Sequence, residues 1–152
     1  MTHLDTNLHQ LREEIIEMHR MVRTQLLKCK TALLEYDRDL AKEIVAAEKR
    51  VNALELKIDR DCENILALFN PVAVDLRFIL AVLKINSNLE RIGDHAEGIA
   101  RYVLALDKVY DAQIPKKFQI EEGFQIAISM IDDALNALLK EDTALARKVF
   151  QK

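Results

Sequence analysis

Tryptophan is absent from this 152-residue chain, and glycine, proline and cysteine are scarce at three, two and two residues. Each shortage excludes something. So little Gly and Pro leaves few residues for hairpins and tight turns, and no run of alternating apolar and polar residues reads as a strand. The two cysteines, Cys29 and Cys62, are isolated from one another at apolar helix positions, which reads as a buried, reduced pair in the cytoplasm rather than a disulfide. No apolar run approaches the ~18 to 20 residues that a membrane span needs. The first residues, MTHLDTNLHQLREE, lack the basic-then-apolar order of a signal peptide. The net charge is −3 and no region is strongly basic, which argues against nucleic-acid binding. There is no Gly-rich phosphate loop, no Ser or Cys nucleophile context, and no Glu-x-x-His of the kind four-helix di-iron oxidases use.

Half of the residues are hydrophobic and 31% are charged, with Leu, Ala, Glu and Lys abundant. This composition predicts long helices. The first runs from about Leu4 to Tyr36, with Leu4, Leu8, Leu11, Ile15, Met18, Val22, Leu26, Cys29 and Leu33 on one stripe. Asp37 or Asp39 can cap the second, which runs to about Phe69 and buries Ile44, Val51, Leu54, Ile58, Cys62, Ile65 and Phe69. Asn70 and Pro71 suit the N-cap and first position of a third helix reaching past Tyr102. Its early part is apolar on nearly every side (Val74, Leu76, Phe78, Ile79, Leu80, Val82, Leu83, Ile85), which predicts burial all round. A linker, LDKVYDAQIPKKF, leads to a fourth helix over about 117–140 and a short fifth after Asp142. ALLEYDRDLAKEIV, residues 32–45, matches ALLKEDTALARKVF, residues 137–150, including the turn aspartates Asp37 and Asp142. That predicts a duplicated three-helix unit.

The third helix also carries Glu90, Asp94 and Glu97 one turn apart, where like charges repel by a few tenths of a kcal/mol. The second helix has its own polar stripe, Glu48, Asn52, Glu55, Asp59 and Glu63, set at the edge of the core. The two helices are joined by a short turn, so they run antiparallel as neighbours. Counted from that turn, Glu48 falls between Glu90 and Asp94, Asn52 falls near 88, and Glu63 falls opposite Arg77. Two readings remain open. Glu90, Asp94, Glu97 and Arg101 lie opposite Leu89, Ile92, Ala96, Ile99 and Val103, as on a solvated face, with Glu97 and Arg101 a favourable pair. Alternatively, Glu48, Asn52, Glu90 and Asp94 hold a cation, and oxygen donors suit hard divalent ions, iron or manganese. His95 reads as a surface residue, and His3, His9 and His19 form no cluster.

The stretch DLRFILAVLKINSNLERIGDHAEGIAR, with RVNALELKID and NPVAVDLR, closely resembles the PhoU family of accessory regulators of bacterial phosphate uptake. The resemblance covers most of residues 8–107 and is most specific at residues 89–95. It implies an all-α protein of tandem three-helix bundles, with a first repeat over 1–107 and a linker with an incomplete second repeat over 108–152. It implies a metal site of divalent or iron-type ions, of a kind that can hold multinuclear clusters, on Glu48, Asn52, Glu90 and Asp94. Gly98 stands where members often have Asn, which removes one candidate ligand. It further implies a cytoplasmic, non-enzymatic adaptor that contacts the phosphate ABC transporter ATPase and a sensor histidine kinase, keeping the phosphate-starvation response off when phosphate is plentiful. The other readings are a carboxylate-bridged metalloenzyme and a plain helical interaction module without metal. The family pattern predicts a whole second bundle, and this chain reaches about ten residues into the fifth helix. The stripe Phe124, Ile128, Ile131, Leu135, Leu138 and Leu139 therefore needs cover, from the start of the third helix or from a second chain, and a homodimer is expected.

Overall fold

The first helix owes its start to Thr2. Its hydroxyl accepts from the Asp5 amide at 3.0 Å while the Asp5 carboxylate accepts from the Thr2 amide at 3.3 Å, a reciprocal capping box. From there α1 (His3–Glu35) runs unbroken, burying Leu11, Ile15, Met18, Val22, Leu26 and Cys29 at three- and four-residue intervals. In this computed structural model, which describes residues 2–106 and 119–140, the fold is all-α: α1, α2 (Arg38–Phe69), α3 (Ala73–Ala105) and α4 (Ile120–Lys140). The expected linker and the helix expected after Asp142 lie outside the described residues.

Tyr36 ends α1 in the left-handed region at φ 52, and Asp37 caps α2 by accepting from the Leu40 amide at 3.0 Å. The Tyr36 hydroxyl donates to the Leu106 carbonyl, which also accepts from Arg38 at 2.8 Å, so this turn is tied to the end of α3. At the other end of α2 the expectation changes. Asn70 does not cap α3; it closes α2 in the left-handed region at φ 45, and α3 begins at Ala73 without a side-chain cap. Asn is one of the few residues that adopts the left-handed geometry readily, which lets it close α2 here.

The helices α1, α2 and α3 pack mutually, and α3 presents Ile79, Val82, Asn86, Leu89, Gly93, Ala96, Ala100 and Val103 inward. These alternate steps of three and four residues, the seven-residue period of a left-handed bundle seam. Two buried amides cross the seams: Gln25 donates to the Ile44 carbonyl at 2.9 Å, and Asn86 donates to the Glu55 carbonyl at 3.0 Å. Cys29 and Cys62 are free and buried, and burial pushes both thiols up to about 12.

The start of α3 is not buried all round. Val74 and Leu80 are 48% and 51% exposed, because α4 packs chiefly on α1 and meets α3 further along. The α4 stripe finds its cover within the chain, although Phe124, Ile128, Ile131, Leu135 and Leu138 keep 7–8% exposure where most of the α1–α3 core is below 3%. Polar contacts hold it as well. Asp132 lies 2.8 Å from His19 and 3.2 Å from Arg23, and Arg12 donates to the Leu139 carbonyl at 3.1 Å.

Candidate metal centre

Glu48 is a charged residue in an apolar register. Ala41, Ile44, Glu48 and Val51 are all buried at steps of three, four and three, and Glu48 is only 4% exposed. The sequence reading set it at the edge of the core; the structure puts it inside, in line with that spacing. What it meets there is α3. One carboxylate oxygen from each of Glu48, Glu90 and Asp94 lies within 4.8 Å of the others. None of the three pairs with Lys or Arg among the described residues, whereas the next acid along, Glu97, holds Arg101 at 2.7 Å.

Asn52 completes the group. With its amide nitrogen turned inward it donates to Glu48 Oε1 at 3.3 Å and to Glu90 Oε1 at 3.2 Å. Turned the other way, it would offer the carbonyl oxygen to a cation instead. All four residues singled out in the sequence thus converge. The register is displaced by about two residues from the one drawn from the turn, since Asn52 meets Glu90 and Glu48 meets Asp94. The same displacement undoes the expected Glu63–Arg77 pair: both side chains are exposed and form no ion pair among the described residues. His95 is exposed, as expected.

The electrostatics are those of crowded acids, with Arg91 opposing only part of the rise at Glu90. Burial first, then the closeness and charge of Asp94 with the charges of Glu97 and Glu90, push Glu48 up to about 8. Burial and the Asp94 charge raise Glu90, and burial with the charges of Glu90, Asp59 and Asp94 raises Glu55. Glu48 Oε2 is buried without a hydrogen-bond partner. A buried carboxylate oxygen left unmatched costs about 1–3 kcal/mol or more, and a cation would remove that cost. The donor set is all oxygen, which fits a hard divalent ion or iron.

Sequence reasoning missed two supports. Gly93 lets α3 approach Glu48: a Cβ there would lie 3.4 Å from Val51 Cγ1 and 3.6 Å from Glu48 Oε2. Its signal was the run of small residues, Gly93, Ala96 and Ala100, on the inward face of α3. Asn86, fully buried, donates to Asp59 Oδ1 at 3.0 Å and fixes α3 against the acidic stripe of α2. An Asn among apolar positions at seam spacing was the available clue.

The PhoU domain model matches residues 15–103, which span all four convergent residues. The phosphate-specific transport system accessory protein PhoU homolog of Aquifex aeolicus is 34% identical over 95% of this chain and 65% of its own length. PhoU of Escherichia coli K12 is 34% identical over 97% of this chain and 61% of its own. The chain therefore spans less than two thirds of those curated relatives. Among solved structures, the phosphate transport system regulatory protein PhoU from Streptococcus pneumoniae superimposes with a TM-score of 0.84 at 29% identity, over 98% of this chain and 69% of that one. PhoU from Pseudomonas aeruginosa gives 0.83 at 28% identity, over 97% and 70%.

Proposed function

The chain belongs to the PhoU family, and from that premise we propose that it is an accessory regulator of phosphate transport built around a carboxylate metal site. Glu48, Glu90 and Asp94 would bind the ion and Asn52 would turn its carbonyl toward it. The ion would link α2 to α3 and neutralise the acids between them. The observation that carries this reading is the partnerless Oε2 of Glu48, 4% exposed and beside two further carboxylates. A wholly solvated face does not account for an acid in the core.

In this reading the role is adaptor, not catalysis. Its contacts would be a phosphate ABC transporter ATPase and a sensor histidine kinase, in the cytoplasm. No helix among the described residues is long and apolar enough to cross a membrane. The names of the relatives, which tie PhoU to the phosphate-specific transport system, support the transporter half. We read α1–α3 as the first repeat and α4 as the opening of a second. Self-association belongs to the same proposal. With the α4 stripe covered, it would use Leu68, Val72, Val74 and Leu80, which lie 48–76% exposed around the α2–α3 turn. Elemental analysis of protein purified without chelator, beside a pull-down against the transporter ATPase, tests the two halves separately. Absence of metal, with full retention of the ATPase, would leave a plain helical interaction module.

A further inference from the structure

An open cleft of about 420 Å³ lies between α2 and α3 and reaches the metal centre at Glu48 and Asn52. Its rim is basic: Lys42 and Lys49 on one side, Arg101 on the other. We propose that the cleft binds a protonated phosphate-type oxyanion, held jointly by the ion on Glu48, Glu90 and Asp94 and by Lys42 and Lys49. This rests on the metal reading and extends it from a structural ion to a ligand site.

The lysines are the first support. Lys28, Lys30 and Lys57 each have an acid within ion-pair distance. Lys42 and Lys49 are exposed and form no ion pair among the described residues. The neighbours of Lys49 at three and four residues are Val45, Ala46, Asn52 and Ala53, so its own helix offers it no acid. Among the described residues, both ammonium groups are open to an anion.

Charge is the second support. Without an ion, Glu90, Asp94 and Glu97 repel any anion approaching the cleft. A divalent ion leaves the three liganding carboxylates one charge short of neutral, and Lys42 and Lys49 offset that charge and the one on nearby Glu55. Arg101 and Glu97 add no net charge as a pair, and Arg101 engages only Oε1 of Glu97, leaving its second oxygen to face the cleft's ligand. Anion binding is therefore conditional on the metal.

Coordination is the third. With one oxygen from each of three carboxylates and one from an amide, the site supplies four of the six or more oxygens that hard divalent ions take. The remaining positions need small oxygen donors, and the cleft is the opening beside Glu48 and Asn52. At roughly 30 Å³ per water, it has room for a tetrahedral oxyanion and several waters. Glu97 in its wall sets the preference. Hydrogen phosphate has an O–H to donate to a carboxylate; sulfate only accepts, and would face Glu97 as a repulsive pair.

The test uses the full chain with Mn²⁺ and inorganic phosphate as probes, by calorimetry and by the Mn²⁺ paramagnetic resonance spectrum. Linkage requires that phosphate raise Mn²⁺ affinity by the same factor as Mn²⁺ raises phosphate affinity, expected at about tenfold, within the usual 5–150-fold range of coupling. The Lys42→Ala/Lys49→Ala variant should bind Mn²⁺ as the parent does and lose most of that coupling. Sulfate should bind at least tenfold more weakly. Phosphoethanolamine distinguishes sources: binding of phosphate alone indicates the free anion, and binding of both indicates a phosphoryl group carried on a larger molecule. Mn²⁺ binding with no effect of phosphate, coupling unchanged in the double-lysine variant, or equal binding of sulfate overturns the proposal and leaves the metal centre standing. Failure of Mn²⁺, Fe²⁺ and Mg²⁺ to bind at all would remove the metal reading itself.

Discussion

Gly93 stands directly against Glu48 across the α2–α3 seam, where a methyl group would rest 3.6 Å from the partnerless Oε2. That distance is ordinary van der Waals contact, so Ala fits sterically. Gly93→Ala should raise apo stability by about 0.5–1 kcal/mol through helix propensity. It should also weaken divalent-metal binding, because the methyl covers the oxygen that the ion would use. Denaturant melts and metal titrations check the two halves. A variant that gains stability with unchanged metal affinity would show that Oε2 is not a ligand.

Removing repulsion should not harm the apo protein. Glu90→Gln with Asp94→Asn deletes two of three convergent carboxylates that have no cationic partner among the described residues. Apo stability is expected to hold or rise. Divalent-metal affinity should fall by more than the roughly 10–100-fold typical of losing an outer-sphere partner. Strong destabilisation without metal would mean that these side chains make structural bonds.

The pH dependence follows from Glu48. Burial and neighbouring acids lift its pKa from an ordinary value of 4.5 to about 8, so the folded chain holds a proton that the unfolded chain has released. Its contribution to stability is present at low pH and is lost as pH rises through that window. The apo protein should therefore melt at a lower temperature near pH 9 than near pH 6, and Glu48→Gln should flatten that slope. Added metal should oppose the loss, since it replaces the proton. A melt of the apo parent that rises over this range contradicts the assignment.

The bundle was legible because its signal is periodic and redundant: α1 repeats Leu11, Ile15, Met18, Val22 and Leu26 at helical spacing, and one mistaken position cannot shift it. The convergence of Glu48, Asn52, Glu90 and Asp94 was legible too, because a short turn fixes antiparallel register to within about half a helical turn. The same tolerance is too coarse for a single exposed pair, which is why Glu63 and Arg77 do not meet. Asn70 misled because Asn suits either side of a helix boundary, as an N-cap or as the left-handed residue that closes the helix before it. The depth of Glu48 was obscured by chemistry: an acid is discounted as a core residue even when Ile44 and Val51 bracket it at core spacing.

Asp132 should control how firmly α4 docks. It lies 2.8 Å from His19 and 3.2 Å from Arg23, and its partners are 12% and 42% exposed. The α4 stripe beneath is less completely buried than the α1–α3 core, so polar contacts carry a larger share of the docking. Asp132→Ala should cost about 1 kcal/mol, the range of a partly exposed pair. The loss should be local. The seams among α1, α2 and α3, and the metal centre on α2 and α3, do not include α4. Hydrogen exchange should accelerate along residues 120–140 while α1–α3 amides and metal affinity hold. Acid should act in the same direction. Burial lowers the His19 pKa below 6.5, against the partial opposition of Asp132, so folding favours the neutral imidazole. That contribution is present above about pH 6.5 and is lost as pH falls through the depressed folded value. Exchange along α4 should therefore rise on acidification in the parent, and more steeply in Asp132→Ala, which keeps the burial and loses the opposing acid. Acceleration spread evenly over all four helices would show instead that α4 unfolds only with the whole bundle.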